Sequence, residues 1–453
     1  MADYLVAIDL GTTKVVSIVG EKNGERYKIL AYDEAVSSGI KRGQVENIQS
    51  VVSVVKPTLD RIKIMAGIPE IKEVYVGIAG QHIRYIENRT EILRSNYEEI
   101  ITNEEISKLE SDAKNLFLNS GEKILHAIPQ AYSIDGVDDI LDPVGRLGHK
   151  LVGHFHIIIE RGISTKHTDV CMQRLNLTLK ELILEPIASA KATLSDAEKE
   201  MGVAMIDMGG GTTDLIIFHD GVIRHTAIIP FGGNTITNDI KTGFNIMSNY
   251  AEKIKIQYGS CLASMMPENK IVTVPGINGR EPREIYFKSL AHVIEARMAE
   301  IMDMVSAEIK KYTENPNRKV KLGAGIVFTG GASQMTHLRE FVKLKIGMDV
   351  RIGRPDYISS NSPKEIIHPK YSTVIGLLMC GFDSLENKNT ERTRVIVVPE
   401  LVPDFVPDFV PEPFQNHKDE IHENVPPKKS GASVIKEKFN KIKDLFTENE
   451  DKV

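Results

Sequence analysis

The chain has 453 residues, 42% of them apolar and 26% charged, with a formal net charge of −6. That length exceeds what one core supports and implies two or more subdomains, and the near-balanced charge excludes the basic field of a nucleic-acid-binding domain. Cys171, Cys261 and Cys380 stand far apart without metal or redox spacing, and the thirteen His form no cluster at ligand spacing. A reducing compartment, no disulfide framework and no transition-metal site are the expectation. The opening residues, Met1 to Asp9, lack a basic stretch followed by an apolar one, and no apolar run is long enough to span a bilayer. A cytoplasmic chain is expected, with any membrane contact peripheral.

From the N-terminus, the Val/Ile-rich runs at Tyr4–Ile8, Val74–Ile78, Val203–Ile206 and Gly325–Phe328 read as buried strands. Between them Ile48–Met65, Ile106–Phe117 and Leu290–Tyr312 carry apolar residues at helical spacing. This alternation predicts an α/β fold through residue 383. From Ser384 to residue 431 the chain is rich in Pro, Glu, Asn and Lys, and Val402-Pro403-Asp404-Phe405 repeats as Val406-Pro407-Asp408-Phe409 before Val410-Pro411. Each Pro removes a backbone donor and biases its predecessor toward extended geometry, so a linker is expected, with the repeat either a spacer or a docking motif.

Helical patterning returns at 432–447. At 100° per residue Val434, Ile435, Phe439, Ile442, Leu445 and Phe446 share one face, Lys436 and Lys443 flank it on one side, and Lys438 and Lys441 lie at its other margin. Two inserting Phe residues and Lys stems reaching anionic headgroups are the pattern of a membrane-surface helix. Docking on the chain's own core fits less well, because a linker precedes the helix and the acidic Glu448–Asp451 follows it. One such helix binds reversibly, so stable attachment calls for many copies on one polymer.

Two motifs carry chemistry. Asp9-Leu10-Gly11-Thr12-Thr13-Lys14 follows the first strand, and Asp207-Met208-Gly209-Gly210-Gly211-Thr212-Thr213-Asp214 follows the strand at 203–206. One such turn is an ordinary hairpin. Two copies suggest two related halves, each presenting backbone N–H groups, Thr hydroxyls and, in the first, Lys14 to phosphate oxygens. Asp9 and Asp207 are placed to hold Mg²⁺ through its waters, since Mg²⁺ keeps most of its hydration shell. A third turn, Thr329-Gly330-Gly331-Ala332, lets a flat nucleoside approach closely. Neither a P-loop nor a dinucleotide-binding glycine fingerprint is present.

In this order the motifs resemble the phosphate-1, phosphate-2 and adenosine elements of the actin, DnaK-type chaperone and sugar-kinase superfamily. The resemblance implies a two-lobed, actin-like (ribonuclease H-like) ATPase fold that binds ATP with Mg²⁺. By that likeness Glu185, in Glu185–Ala190, sits near the γ-phosphate and orients an attacking water, and Glu252 and Lys255 grip the ribose and adenine. Left to themselves, Glu252 and Lys255 read as a surface i,i+3 pair.

Within the superfamily, Gly39–Asn47 and Phe231–Ile240 are similar to segments of the FtsA family, although Asn47 stands where an acidic residue is common. After Gly77-Ile78-Ala79-Gly80 an insertion at 81–161, with a helix at 103–118 and strands at 124–134 and 152–160, resembles the family's subdomain 1C. The implied organisation is subdomain 1A at 1–80 and 162–192, 1C at 81–161, 2A at 193–229 and 319–383, and 2B at 230–318. The implied role is an adaptor at the cytoplasmic face of the inner membrane at the division site. It polymerises with itself, binds the FtsZ C-terminal tail through 2B and meets later divisome proteins through 1C. ATP then serves mainly as a conformational ligand, with hydrolysis slow or incidental. A sugar kinase lacks a visible sugar pocket here, a DnaK-type chaperone lacks its peptide-binding domain, and a pilus-assembly counterpart would lack the tail.

Overall fold

The structure, a computed structural model, describes residues 4–394 except 81, 277, 279, 316 and 317. The expected linker from residue 395 onward, its Val-Pro-Asp-Phe repeat and the expected amphipathic helix at 432–447 lie outside the described residues.

Runs as apolar as Tyr4–Leu10 and Val203–Met208 cannot face water on either side, and each becomes the centre of a five-stranded sheet covered on both faces. The first sheet has the order Thr178–Leu184, Glu73–Ile78, Tyr4–Leu10, Lys14–Asn23, Arg26–Val36. The second has the reverse listing of the same plan: Val222–Ile229, Thr213–His219, Val203–Met208, Ile326–Thr329, Val350–Ile352. In both, the first three strands in the chain form an antiparallel meander and two further strands add in parallel. The actin-like α/β expectation is met, and the two halves are topological repeats.

Helix Ile48–Ala66 covers one face of the first sheet through Val51, Val55 and Ile62. Its N-cap is Asn47, whose Oδ1 accepts from Ser50 N at 3.0 Å. Asn and Asp cap about equally well, so the departure from an acidic residue leaves this helix start intact. Helix Ser372–Arg394 covers the other face through Leu377 and Leu378. It continues past Ser384, where the linker was expected to begin, because its apolar face still has a sheet to cover. Helix Phe287–Thr313 does the same for the second lobe through Met298, Ile301 and Met302.

The short helix Glu185–Thr193 serves both lobes. Ala188 and Ala192 pack in the first lobe's core, and Ala190 in the second's. It crosses Ser372–Arg394 so closely that a Cβ on Gly376 would fall on the Ala188 carbonyl. Gly376→Ala must therefore push the two helices apart, and we expect a loss of about 3 kcal/mol in urea denaturation. A loss below about 0.5 kcal/mol would show that the crossing yields freely.

The insertion is an antiparallel sheet ordered Ile83–Leu93, Lys150–Arg161, Glu122–Ile134, Val137–Ile140, with helix Asn103–Ala113 packed on it through Leu109 and Ala113. Thr102 and Glu105 form a capping box at the helix start. The helix is shorter than the 103–118 expected. Lys114 and Asn115 turn back onto the Ser111 and Asp112 carbonyls, which ends the helix and leaves Phe117 fully exposed. Ile83–Leu93 is an unexpected strand. It lies at the sheet edge, and its Arg84, Glu87, Arg89 and Glu91 mask a strand pattern.

Histidines seat the insertion on the rest of the chain. His156 Nε2 meets Thr226 Oγ1 at 3.2 Å, the Tyr85 ring stacks on His156 and turns its edge to His225, and Arg224 Nη1 donates to the Gln130 carbonyl at 3.0 Å. His126 Nε2 accepts from Leu184 N at 3.2 Å, which requires an unprotonated nitrogen. Burial pushes His126 and His156 down to about 4. An unfolded imidazole titrates near 6.5, so as pH falls from about 6.5 toward 4 the unfolded chain gains protons that the folded chain refuses, and stability is lost across that window. We expect the thermal midpoint to fall between pH 7 and 5, and to fall less steeply in His156→Asn; parallel slopes by scanning fluorimetry would mean the seam is not proton-linked.

Candidate functional site

A cavity of about 460 Å³ opens between the lobes, a volume suited to a small organic ligand. The two glycine hairpins face each other across it. The strands are longer than expected, Tyr4–Leu10 and Val203–Met208, so Asp9 and Asp207 lie within them and are buried. The turns close at Leu10 opposite Val15 and at Met208 opposite Thr213. A Cβ on Gly210 or Gly211 would strike the Thr13 or Thr12 hydroxyl, so glycine sets how near the hairpins come. Gly330 has φ +86°, and a Cβ there would strike Asp207 and the Met208 carbonyl.

Asp9, Gly11, Thr12, Thr13, Lys14, Glu185, Asp207, Gly209, Gly210, Gly211, Thr212, Glu252, Lys255, Gly330, Gly331 and Ala332 all line this cavity. Thr213 does not join them. Successive side chains of a strand face opposite ways, so with Thr212 toward the cavity Thr213 is fully buried and donates to the Phe231 carbonyl at 2.8 Å. The membrane-face candidates from Val434 to Phe446 lie outside the described residues.

Carboxylates dominate the floor. Burial pushes Asp9 up to about 6, with Lys14 opposing and Asp207 adding to the rise. Burial also raises Asp207, against hydrogen bonds from Ser189 Oγ at 2.5 Å and Thr373 Oγ1 at 3.2 Å. Glu185, at the start of its helix, is held well above the usual carboxylate range by burial and then by Asp9, Asp214 and Asp207. Asp214 is raised likewise, and its buried Oδ1 has no hydrogen-bond partner. Among the described residues no group of His, Cys, Asp or Glu is arranged to hold a metal ion directly. An orphaned carboxylate oxygen and crowded acids nevertheless suit a hydrated divalent cation carried with an anionic ligand.

The opposite end is built by Lys255. Its Nζ donates to the Glu252 carboxylate at 2.7 Å, Thr237 Oγ1 at 2.8 Å and the Gly233 carbonyl at 3.0 Å. This is the i,i+3 pair, but Lys255 is buried at the cavity wall. Helix Gly233–Phe244 points its N-terminus at the same space, with Gly233 and Asn234 in the lining.

Sequence reasoning missed Asp214, Asn234, Lys370 and Thr373 as lining residues. Asp214 and Asn234 sit in motifs already singled out, and the Lys14-equivalent place after the second Thr-Thr pair pointed to Asp214. Lys370 and Thr373 carry no local signal, because only the return of the chain over the cleft brings them there.

The family profile "Cell division protein FtsA" matches residues 204–376, and the profile "SHS2 domain inserted in FTSA" matches residues 80–159. Cell division protein FtsA of Pseudomonas aeruginosa is 35% identical over 378 residues, covering 83% of this chain and 89% of its own. The chain belongs to the FtsA family of cell-division proteins. Cell division protein FtsA of Escherichia coli K12 is 34% identical over 391 residues, covering 85% of this chain and 92% of its own. Among solved structures, the PilM–PilN type IV pilus biogenesis complex aligns with TM-score 0.58 at 12% identity, over 83% of this chain and 98% of that one. MreB5 of Spiroplasma citri bound to ADP aligns with TM-score 0.50 at 16% identity, over 86% and 98%. Those likenesses show the actin-like fold, and FtsA kinship disfavours the pilus-assembly and kinase readings.

Burying four acids together at the floor of the cleft costs stability. Glu185→Gln keeps the shape and removes a group whose ionisation the folded cleft resists, so at neutral pH, where the unfolded chain ionises it, we expect the ligand-free protein to gain about 1 kcal/mol in urea denaturation. A loss instead would show that the Glu185 carboxylate is held by favourable contacts.

Proposed function

We propose that this FtsA-family chain binds ATP with Mg²⁺ in the cleft, assembles with copies of itself and ties FtsZ to the cytoplasmic face of the inner membrane at the division site. The observation that carries the nucleotide part is the pair of facing glycine hairpins with buried carboxylates behind them. Lys14, Thr12, Thr13 and the backbone N–H groups of both turns are the phosphate donors. Asp9 and Asp207 would hold the ion through its waters, and the ion supplies charge neutralisation between phosphate oxygens. In this reading Glu185 orients a water, and Glu252, Lys255 and the Gly330–Ala332 turn receive the nucleoside. The nucleotide then acts as a conformational ligand by binding one lobe arrangement better than another.

Residues 230–318 are the proposed seat of the FtsZ C-terminal tail. The insertion is the proposed contact for neighbouring copies and later division proteins. In its support, Arg94 ties the loops around 94–101 and 141–149 together, and Leu93, Ile100, Leu141 and Leu147 stand exposed on them. The amphipathic segment at 432–447 is the proposed membrane anchor. No helix among the described residues is long and apolar enough to cross a membrane.

Co-sedimentation with anionic liposomes and ATP tests the whole reading. The full chain should pellet and bring FtsZ down, whereas a chain ending at Gly431 or carrying Phe439→Glu with Phe446→Glu should stay soluble. Gly210→Val, which drives a side chain into Thr13, should weaken ATP binding at least about tenfold by calorimetry. Equal pelleting of all tail variants would remove the anchor, and unchanged ATP affinity would remove the clamp.

A further inference from the structure

The segment His368–Ser372 bridges the cleft. On the second-lobe side the Pro369 carbonyl accepts from Gly330 N at 3.2 Å and Thr329 Oγ1 at 3.3 Å, and Ser372 Oγ meets Thr329 Oγ1 at 2.6 Å. On the first-lobe side Lys14 Nζ donates to the Lys370 carbonyl at 2.6 Å. Lys370 Nζ bonds both Glu34 carboxylate oxygens, at 3.0 and 3.2 Å, and Tyr371 OH donates to Glu34 Oε2 at 3.0 Å. The Lys14 and Lys370 ammonium groups each lie 4.5 Å from the centre of the Tyr371 ring. Both lysines line the cavity with the two hairpins.

These partners are weak relative to a phosphate. A neutral carbonyl holds Lys14 less strongly than an anion would, and the Lys370–Glu34 pair is a third or more exposed on each side, where ion pairs contribute little. An entering terminal phosphate therefore competes with the Lys370 carbonyl for one ammonium and with Glu34 for the other. Winning either contest exchanges one polar contact of the bridge with the first lobe, while Tyr371 stays packed in that lobe's core and the second-lobe bonds persist.

We propose that Lys370 binds the terminal phosphate of a nucleoside triphosphate, with Glu34 as its competing partner in the absence of that phosphate. The inference rests on the nucleotide reading of the cleft and adds a residue that distinguishes tri- from diphosphate. Lys370 touches the anion only when the third phosphate is present, so its loss must fall on one nucleotide and not the other.

The test is calorimetric titration of the full chain with AMP-PNP and with ADP, each with Mg²⁺. Lys370→Met should weaken AMP-PNP about tenfold and leave ADP within about twofold. Glu34→Gln removes the competitor and should tighten AMP-PNP about threefold. Opposite signs in the two variants cannot come from general damage to the fold, which a thermal melt of each variant checks. A loss shared by both nucleotides, no loss for either, or no gain in Glu34→Gln overturns the proposal. If the unaltered chain binds neither nucleotide, the cleft reading itself falls, and the sensor with it.

Discussion

The two lobes are arranged around the contact distance between two hairpin turns. Gly210 and Gly211 lie where a methyl group would collide with Thr13 and Thr12, and Gly330 lies where one would collide with Asp207. Backbone amides can converge on an anion only if nothing projects between them, so these glycines set the width of the cleft. The strands behind them must then be rigid, which is why each is the buried centre of a sheet with helices on both faces. The same burial that makes the strands rigid desolvates Asp9 and Asp207 at their ends. Rigidity and an expensive, acid-rich site are one consequence of one geometry.

The duplicated sheet plan explains how two lobes line one cleft while each keeps its own core. Each hairpin belongs to its own sheet, and the helix Glu185–Thr193 belongs to both, with alternate Ala residues packed into either lobe. Small residues let that helix lie against Gly376 at backbone contact, so the crossing acts as a short common axle. The bridge at His368–Ser372 is another connection: Tyr371 anchors it in the first lobe's core, and hydrogen bonds and one ion pair make its remaining contacts. Apolar contact at the axle resists separation, whereas polar contact at the bridge can be exchanged for contacts to a ligand. That division suits a protein whose two lobes must hold together while one contact changes.

What was legible in the sequence follows the same physics. Fully buried strands announce themselves as apolar runs, and turns that need glycine announce themselves by glycine, so both sheets' central strands and all three turns were readable. Two features of the insertion were not: Ile83–Leu93 reads as polar because edge strands carry charge, and the helix after Thr102 ends at Ala113 through local carbonyl turns that periodicity does not register. Thr213 misled because Thr-Thr looks symmetrical in sequence, while a strand sends the two hydroxyls to opposite faces. Lys370 and Thr373 were invisible because they reach the cavity through tertiary return, far in sequence from either hairpin.

The insertion also has a place in this arrangement that its exposed loops do not reveal. Through His126 it accepts the backbone N–H of Leu184, and Leu184 is the residue that caps the helix beginning with Glu185. Ile128 of the same strand packs against the core face that Ala190 and Leu194 help to form. The insertion thus grips the axle helix at its first turn, next to Glu185, whose carboxyl burial and neighbouring acids hold well above its ordinary range. A shift of the insertion by the length of one hydrogen bond would move that backbone, and a shift of the helix would reach the insertion by the same route. Coupling of this kind needs only a contiguous set of packed and hydrogen-bonded groups with more than one arrangement. The route is short: one imidazole and one peptide N–H separate the inserted sheet from Glu185, which lines the cleft.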